Sequence, residues 1–81
     1  MEKMRIIVVV PDFEHSGDFN EAIDGLCKCG VERSAMDFEE DADEGVGIIN
    51  VVVPLSEETM KKVRETLGGG FYSTRFFKVK A

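Results

Sequence analysis

Two unbroken β-branched runs constrain this chain more than anything else in it. Ile6 to Val10 (IIVVV) and Gly47 to Val53 (GIINVVV) show no polar alternation, and each ends at a proline, Pro11 and Pro54. Apolar runs this short, this rich in Val and Ile and bounded by turn residues read as strands covered on both faces rather than as helices. A chain of 81 residues has room for one domain with one core. Everything else must therefore pack around these two strands, Met4 to Val10 and Gly47 to Val53.

The segments between them carry helical spacing and edge-strand chemistry. Pro11 to Ser16 reads as a loop, after which Asp18 reads as an N-cap with Glu21 placed for a capping box. Phe19, Ala22, Ile23 and Leu26 recur at helical spacing, and Gly30 suits a left-handed helix terminus. Val31 to Glu40 reads as a second strand, with Ser34, Met36 and Phe38 on one side and Arg33, Asp37 and Glu39 on the other. Glu40 to Gly45 is a charged turn. After Pro54, Ser56 caps a second helix with Leu55 as its staple, and Leu55, Met60, Val63 and Leu67 form its apolar stripe. Gly68-Gly69-Gly70 ends it, and Phe71 to Lys80 is a last strand.

The order β, α, β, β, α, β predicts an α+β, two-layer ferredoxin-like sandwich spanning residues 1–81 as a single domain. Its four-stranded antiparallel sheet would have the order 4-1-3-2, with both helices on one face. Pattern and topology agree: the first and third strands, central in that fold, are the two apolar runs, while the charged strands fall at the edges, where charge deters edge-to-edge pairing.

Two helices cover one face of such a sheet. The central strands offer apolar residues to both: Ile6, Val8 and Val10 against Ile7 and Val9, and Ile49, Val51 and Val53 against Ile48, Asn50 and Val52. Several β-branched side chains would face water, which marks an interface, most simply that of a two-fold homodimer. The alternative is that the stems of Lys78, Arg75 and Arg33 fold over the face. An RNA-recognition module stacks bases on aromatic residues of its central strands, and here the runs Ile6–Val10 and Gly47–Val53 hold only aliphatic residues and Asn50. Phe71, Tyr72, Phe76 and Phe77 are assigned to the core.

Charge narrows the partners further. The formal net charge is −6, which weighs against phosphate backbones and anionic membranes, so neither nucleic acid nor membrane is expected as a direct partner. Residues 31–45 hold one basic and seven acidic groups. Within them Asp37, Glu39, Glu40, Asp41, Asp43 and Glu44 form a run that could dock a basic protein or mimic a phosphate backbone. Asp41, Asp43 and Gly45 faintly resemble a calcium loop, but the Gly is one position early and no Glu closes it. No apolar run is long enough to span a bilayer and no cleavage-type signal is seen, so a cytoplasmic setting is expected.

Three further features could carry chemistry. Cys27 and Cys29 lie two apart near a helix end and point about 200° away from each other, so metal or redox use is the minor reading and one buried thiol the major one. His15, flanked by Asp12, Glu14, Ser16 and Asp18, resembles a base oriented by a carboxylate. It equally resembles an ordinary solvated loop, with no nucleophile placed beside it. The Arg-bearing phosphate loop of acylphosphatases, which share the fold, is missing. No catalytic residue, metal or cofactor is assigned.

Ile6–Val10, Gly17, Phe19–Leu26 and Cys29-Gly30-Val31 together resemble the opening of an ACT domain: an apolar strand, a loop with Gly at the helix start, an amphipathic helix and a small residue-Gly-aliphatic exit. The remaining elements follow in the same order over nearly the whole chain. The resemblance implies a non-catalytic regulatory module that dimerises and binds an amino acid or similar ligand, acting in trans. The matching ligand loop is Asp12 to Asp18, with Asp12, His15, Ser16, Gly17 and Asp18 as candidate contacts. That family's Asp-x-Pro-Gly approach is replaced here by His15-Ser16-Gly17, and the acidic loop disfavours an anionic ligand.

Overall fold

The computed structural model describes residues 2–11, 16–41, 43–68 and 71–79, with positions 16 and 17 described by backbone only. It has the expected α+β architecture. Strand β1 (Lys3–Pro11) is followed by α1 (Ser16–Lys28), β2 (Met36–Asp41), β3 (Val46–Pro54), α2 (Glu57–Leu67) and β4 (Ser73–Val79). The sheet order is β2-β3-β1-β4, with every neighbouring pair antiparallel. The two apolar runs are thus the central strands, and the charged strands are the edges.

Burial separates the faces. Along β1, Met4, Ile6, Val8 and Val10 are buried while Arg5, Ile7 and Val9 are half-buried, and β3 alternates likewise, with Ile49 and Val51 buried. The runs are therefore covered fully on one side only. Their β-branched character serves two different surfaces, and its lack of alternation hides which residue faces which way. The buried set packs against Ala22, Ile23 and Leu26 of α1 and Val63 and Leu67 of α2, with Phe19, Leu55, Met60, Tyr72 and Phe76 sealing the margins.

Local chemistry explains the helix ends. Ser56 caps α2, its hydroxyl accepting from the Thr59 N–H at 3.2 Å. Gly30, at φ 92°, closes α1 in a Schellman arrangement: the Gly30 N–H donates to the Cys27 carbonyl and the Val31 N–H to that of Leu26. Gly25 sets the helix-to-helix approach, since a Cβ there would lie 2.9 Å from Leu67 Cδ2.

Two boundaries differ from the sequence expectation. Helix α1 begins at Ser16, so Asp18 lies in its first turn rather than at its cap. There its carboxylate gains from the positive end of the helix dipole without needing the cap position. Strand β2 begins at Met36, paired with Val51, rather than at Val31. Val31 is held by the α1 terminus and buried in the core, and Arg33–Ala35 form a 3₁₀ turn, which removes Ser34 from the strand.

Candidate functional site

The helix-free face of the sheet is the candidate site, and its side chains follow from strand register. Directly opposed residues of an antiparallel pair share a face. One row across it therefore reads Asp37, Asn50, Ile7, Arg75, from β2 to β4. The next reads Glu39, Ile48, Val9, Ser73. On the other side of the first row lie Val52, Arg5 and Phe77. Ile7, Val9, Ile48 and Val52 are all half-buried and form a continuous aliphatic strip along the middle of the sheet.

Arg5 is the residue that sequence reasoning missed. Its Nη1 donates to Asn50 Oδ1 at 2.7 Å across β1 and β3, tying two polar groups of the central strands to each other. The signal was available, because Arg5 shares its parity with Ile7 and Val9. The residues expected to cover the strip are placed otherwise. Lys78 is opposite buried Met4, on the helix side, and pairs with Glu2 at 3.2 Å. Arg33 lies in the 3₁₀ turn. Arg75 alone of the three stands on this face, opposite Ile7.

The aromatic residues also divide. Tyr72 and Phe76 pack against the core as expected, and Arg64 sits over the Phe76 ring at 5.0 Å from its centroid. Phe71 and Phe77, in contrast, are each 47% exposed. Odd parity along β4 sends Phe77 to the helix-free face, opposite Arg5, so the assignment of these two to the core is corrected. Phe38 is also exposed, and it meets Phe19 edge-on at 5.7 Å.

The acidic run does not form one surface. Asp37 and Glu39 stand on the helix-free face, while Glu40 opposes buried Gly47 on the helix side. Asp41 is occupied structurally: its Oδ1 accepts from the Asp43 and Glu44 N–H groups, each at 3.1 Å, and Gly45 at φ 68° completes the turn. Asp43 and Glu44 are exposed at the turn itself. Among the described residues no group of three or more His, Cys, Asp or Glu is arranged to hold a metal ion.

Of the expected ligand loop, Asp12 and His15 lie outside the described residues, as does the side chain of Ser16. Ser16 and Gly17 open α1, and Asp18 is half-buried, its carbonyl accepting from the Tyr72 hydroxyl at 3.1 Å. Burial, then the neighbouring Glu21 and Asp18 carboxylates, raise the Tyr72 phenol above its ordinary value, and a hydrogen bond with Glu21 adds to the shift. Cys27 is exposed and Cys29 buried, both as free thiols, and Cys29 Sγ donates to Thr66 Oγ1 at 3.5 Å, joining the end of α1 to α2. Among the described residues no helix is long and apolar enough to cross a membrane.

No family model and no curated protein matches the chain. Among solved structures it is similar to the uncharacterized protein TM1266 from Thermotoga maritima, with a TM-score of 0.74 and 16% identity over 96% of each chain. At that identity the likeness defines the class of fold, a ferredoxin-like α+β sandwich, and nothing finer.

Proposed function

We propose that this chain is a small regulatory or ligand-binding module that acts without catalysis, as a homodimer paired through the helix-free face of its sheet. The observation that carries the proposal is the aliphatic strip of Ile7, Val9, Ile48 and Val52, half-buried in the single chain with no element over it among the described residues. Strands of 9, 6, 9 and 7 residues, rising about 3.3 Å per residue and spaced about 4.8 Å, present roughly 500 Å² in plan. Two such faces together come to the ~1,000 Å² that a specific interface needs. The ligand, an amino acid or a similar small molecule, is assigned by the resemblance to ACT domains to residues 12–18. The two free thiols suit a reducing, cytoplasmic setting.

Sedimentation of the purified chain through the micromolar range tests the dimer, with Ile48→Lys as the variant. A dimer that becomes a folded monomer on this substitution is expected. A wild-type monomer at high micromolar concentration, or a dimer indifferent to the substitution, overturns the proposal. A thermal-shift series with single amino acids tests the ligand: a rise in Tm that saturates supports it, and no response to any of them removes that part.

A further inference from the structure

We propose that the dimer's two-fold axis runs parallel to the strands, between β1 and β3, so that Asp37 of each copy stands over Arg75 of the other. This rests on the face-to-face dimer proposed above and specifies its geometry. A face-to-face two-fold must lie in the plane between the sheets, and two limiting directions exist. An axis along the strands keeps each residue in its row and exchanges the edges, placing β2 over the partner's β4. An axis across the strands places β2 over the partner's β2.

Charge separates these two directions. The face carries its carboxylates, Asp37, Glu39 and the turn-bound Asp41, on β2, its edge cation, Arg75, on β4, and Lys3 and Arg5 on the central strand β1. Asp37 and Arg75 occupy opposite ends of one row, through Asn50 and Ile7. The along-strand axis therefore superposes unlike charges twice, once at each edge. In the neighbouring row it sets Val9 over the partner's Ile48, apolar on apolar. The cross-strand axis would face the acidic edge with its own copy, a juxtaposition that opposes association. Aligned sheets pack about 10 Å apart with strands within about 30° of parallel, a gap that an Arg and an Asp reaching from opposite sides can close.

The test is the dimer dissociation constant of Asp37→Arg, Arg75→Asp and the doubly exchanged chain. Two exposed pairs become two repulsions in either single variant, and a weakening of roughly tenfold or more is expected. The exchanged chain, with its pairs re-formed in reverse, returns to near the wild-type value. In a cross-strand dimer Arg at 37 meets either its own copy, one like-charge contact for another, or the partner's Glu39, so unchanged or tighter affinity overturns the axis while leaving the dimer standing. Singles that weaken with no recovery in the exchanged chain also overturn it. A wild-type monomer overturns instead the dimer on which the axis rests. A thermal melt of each variant, read at a concentration below dissociation, separates loss of pairing from loss of fold, since these exposed substitutions should leave the monomer's Tm unchanged.

Discussion

Ile6 and Ile7 are neighbours of the same type in the same strand, and so are Ile48 and Ile49, yet each pair divides between two different surfaces. Ile6 and Ile49 are 0% exposed beneath the helices. Ile7 and Ile48 remain half-buried on the other side. The covered face is finished within the single chain, dry and filled by α1 and α2. The helix-free face has the same aliphatic chemistry at its centre, but an acidic edge, a basic edge and an Arg5–Asn50 hydrogen bond across it. One face explains why the chain folds. The other has more apolar surface than folding requires, which is why function is placed there.

Substitutions at these paired positions break or sharpen the contrast. The largest difference is expected between Ile49→Lys and Ile48→Lys. A lysine at 49 buries an unpaired charge in the core and should cost more than ~4 kcal/mol, leaving the chain unfolded by circular dichroism. At 48 the same residue reaches water, the melt should survive, and self-association should be lost. Next, Ile6→Ala should cost about 2–5 kcal/mol through the cavity it leaves, whereas Ile7→Ala should cost under ~1 kcal/mol in dilute denaturant titrations. Equal costs at 6 and 7 would erase the distinction between the faces.

Smaller effects test the polar detail. Asn50→Ala removes the acceptor of Arg5 and should lower stability by about 1 kcal/mol in a urea titration. Tyr72→Phe removes the bond to the Asp18 carbonyl and should cost a similar ~1 kcal/mol. It should also change the alkaline behaviour. The phenol's folded pKa is raised, so the unfolded chain loses its proton first. Tyr72's contribution is then complete below the unfolded value near 10 and is lost as pH rises from there through the folded value. The wild-type melt should fall more steeply than that of Tyr72→Phe over that range.

Much of the covered face was legible in the sequence, because burial there follows from helical spacing and from runs that end in proline. Ser56, Gly30 and the stripe of Val63 and Leu67 are local signals with local causes. The errors arose where tertiary context competed. Asp18 is as good in a first turn as at a cap, and Val31 looks like the start of a strand but is held in the α1 terminus. The helix-free face was legible as a composition and not as a pattern. Its aliphatic strip can be inferred, but the place of Arg5 beside it, and of Phe77 opposite Arg5 and not in the core, is fixed by strand register. The acidic run reads as one patch in sequence because alternation along β2, and the turn that occupies Asp41, emerge only once the register with β3 is known. Positions 12 to 15, where the ligand is proposed, lie outside the described residues.

Sedimentation equilibrium of the wild-type chain beside Ile48→Lys, from low to high micromolar concentration, tests the central claim most directly. A reversible wild-type dimer and a folded Ile48→Lys monomer are the predicted result. A wild-type chain that stays monomeric throughout, or a dimer that the Ile48→Lys substitution leaves intact, would contradict it.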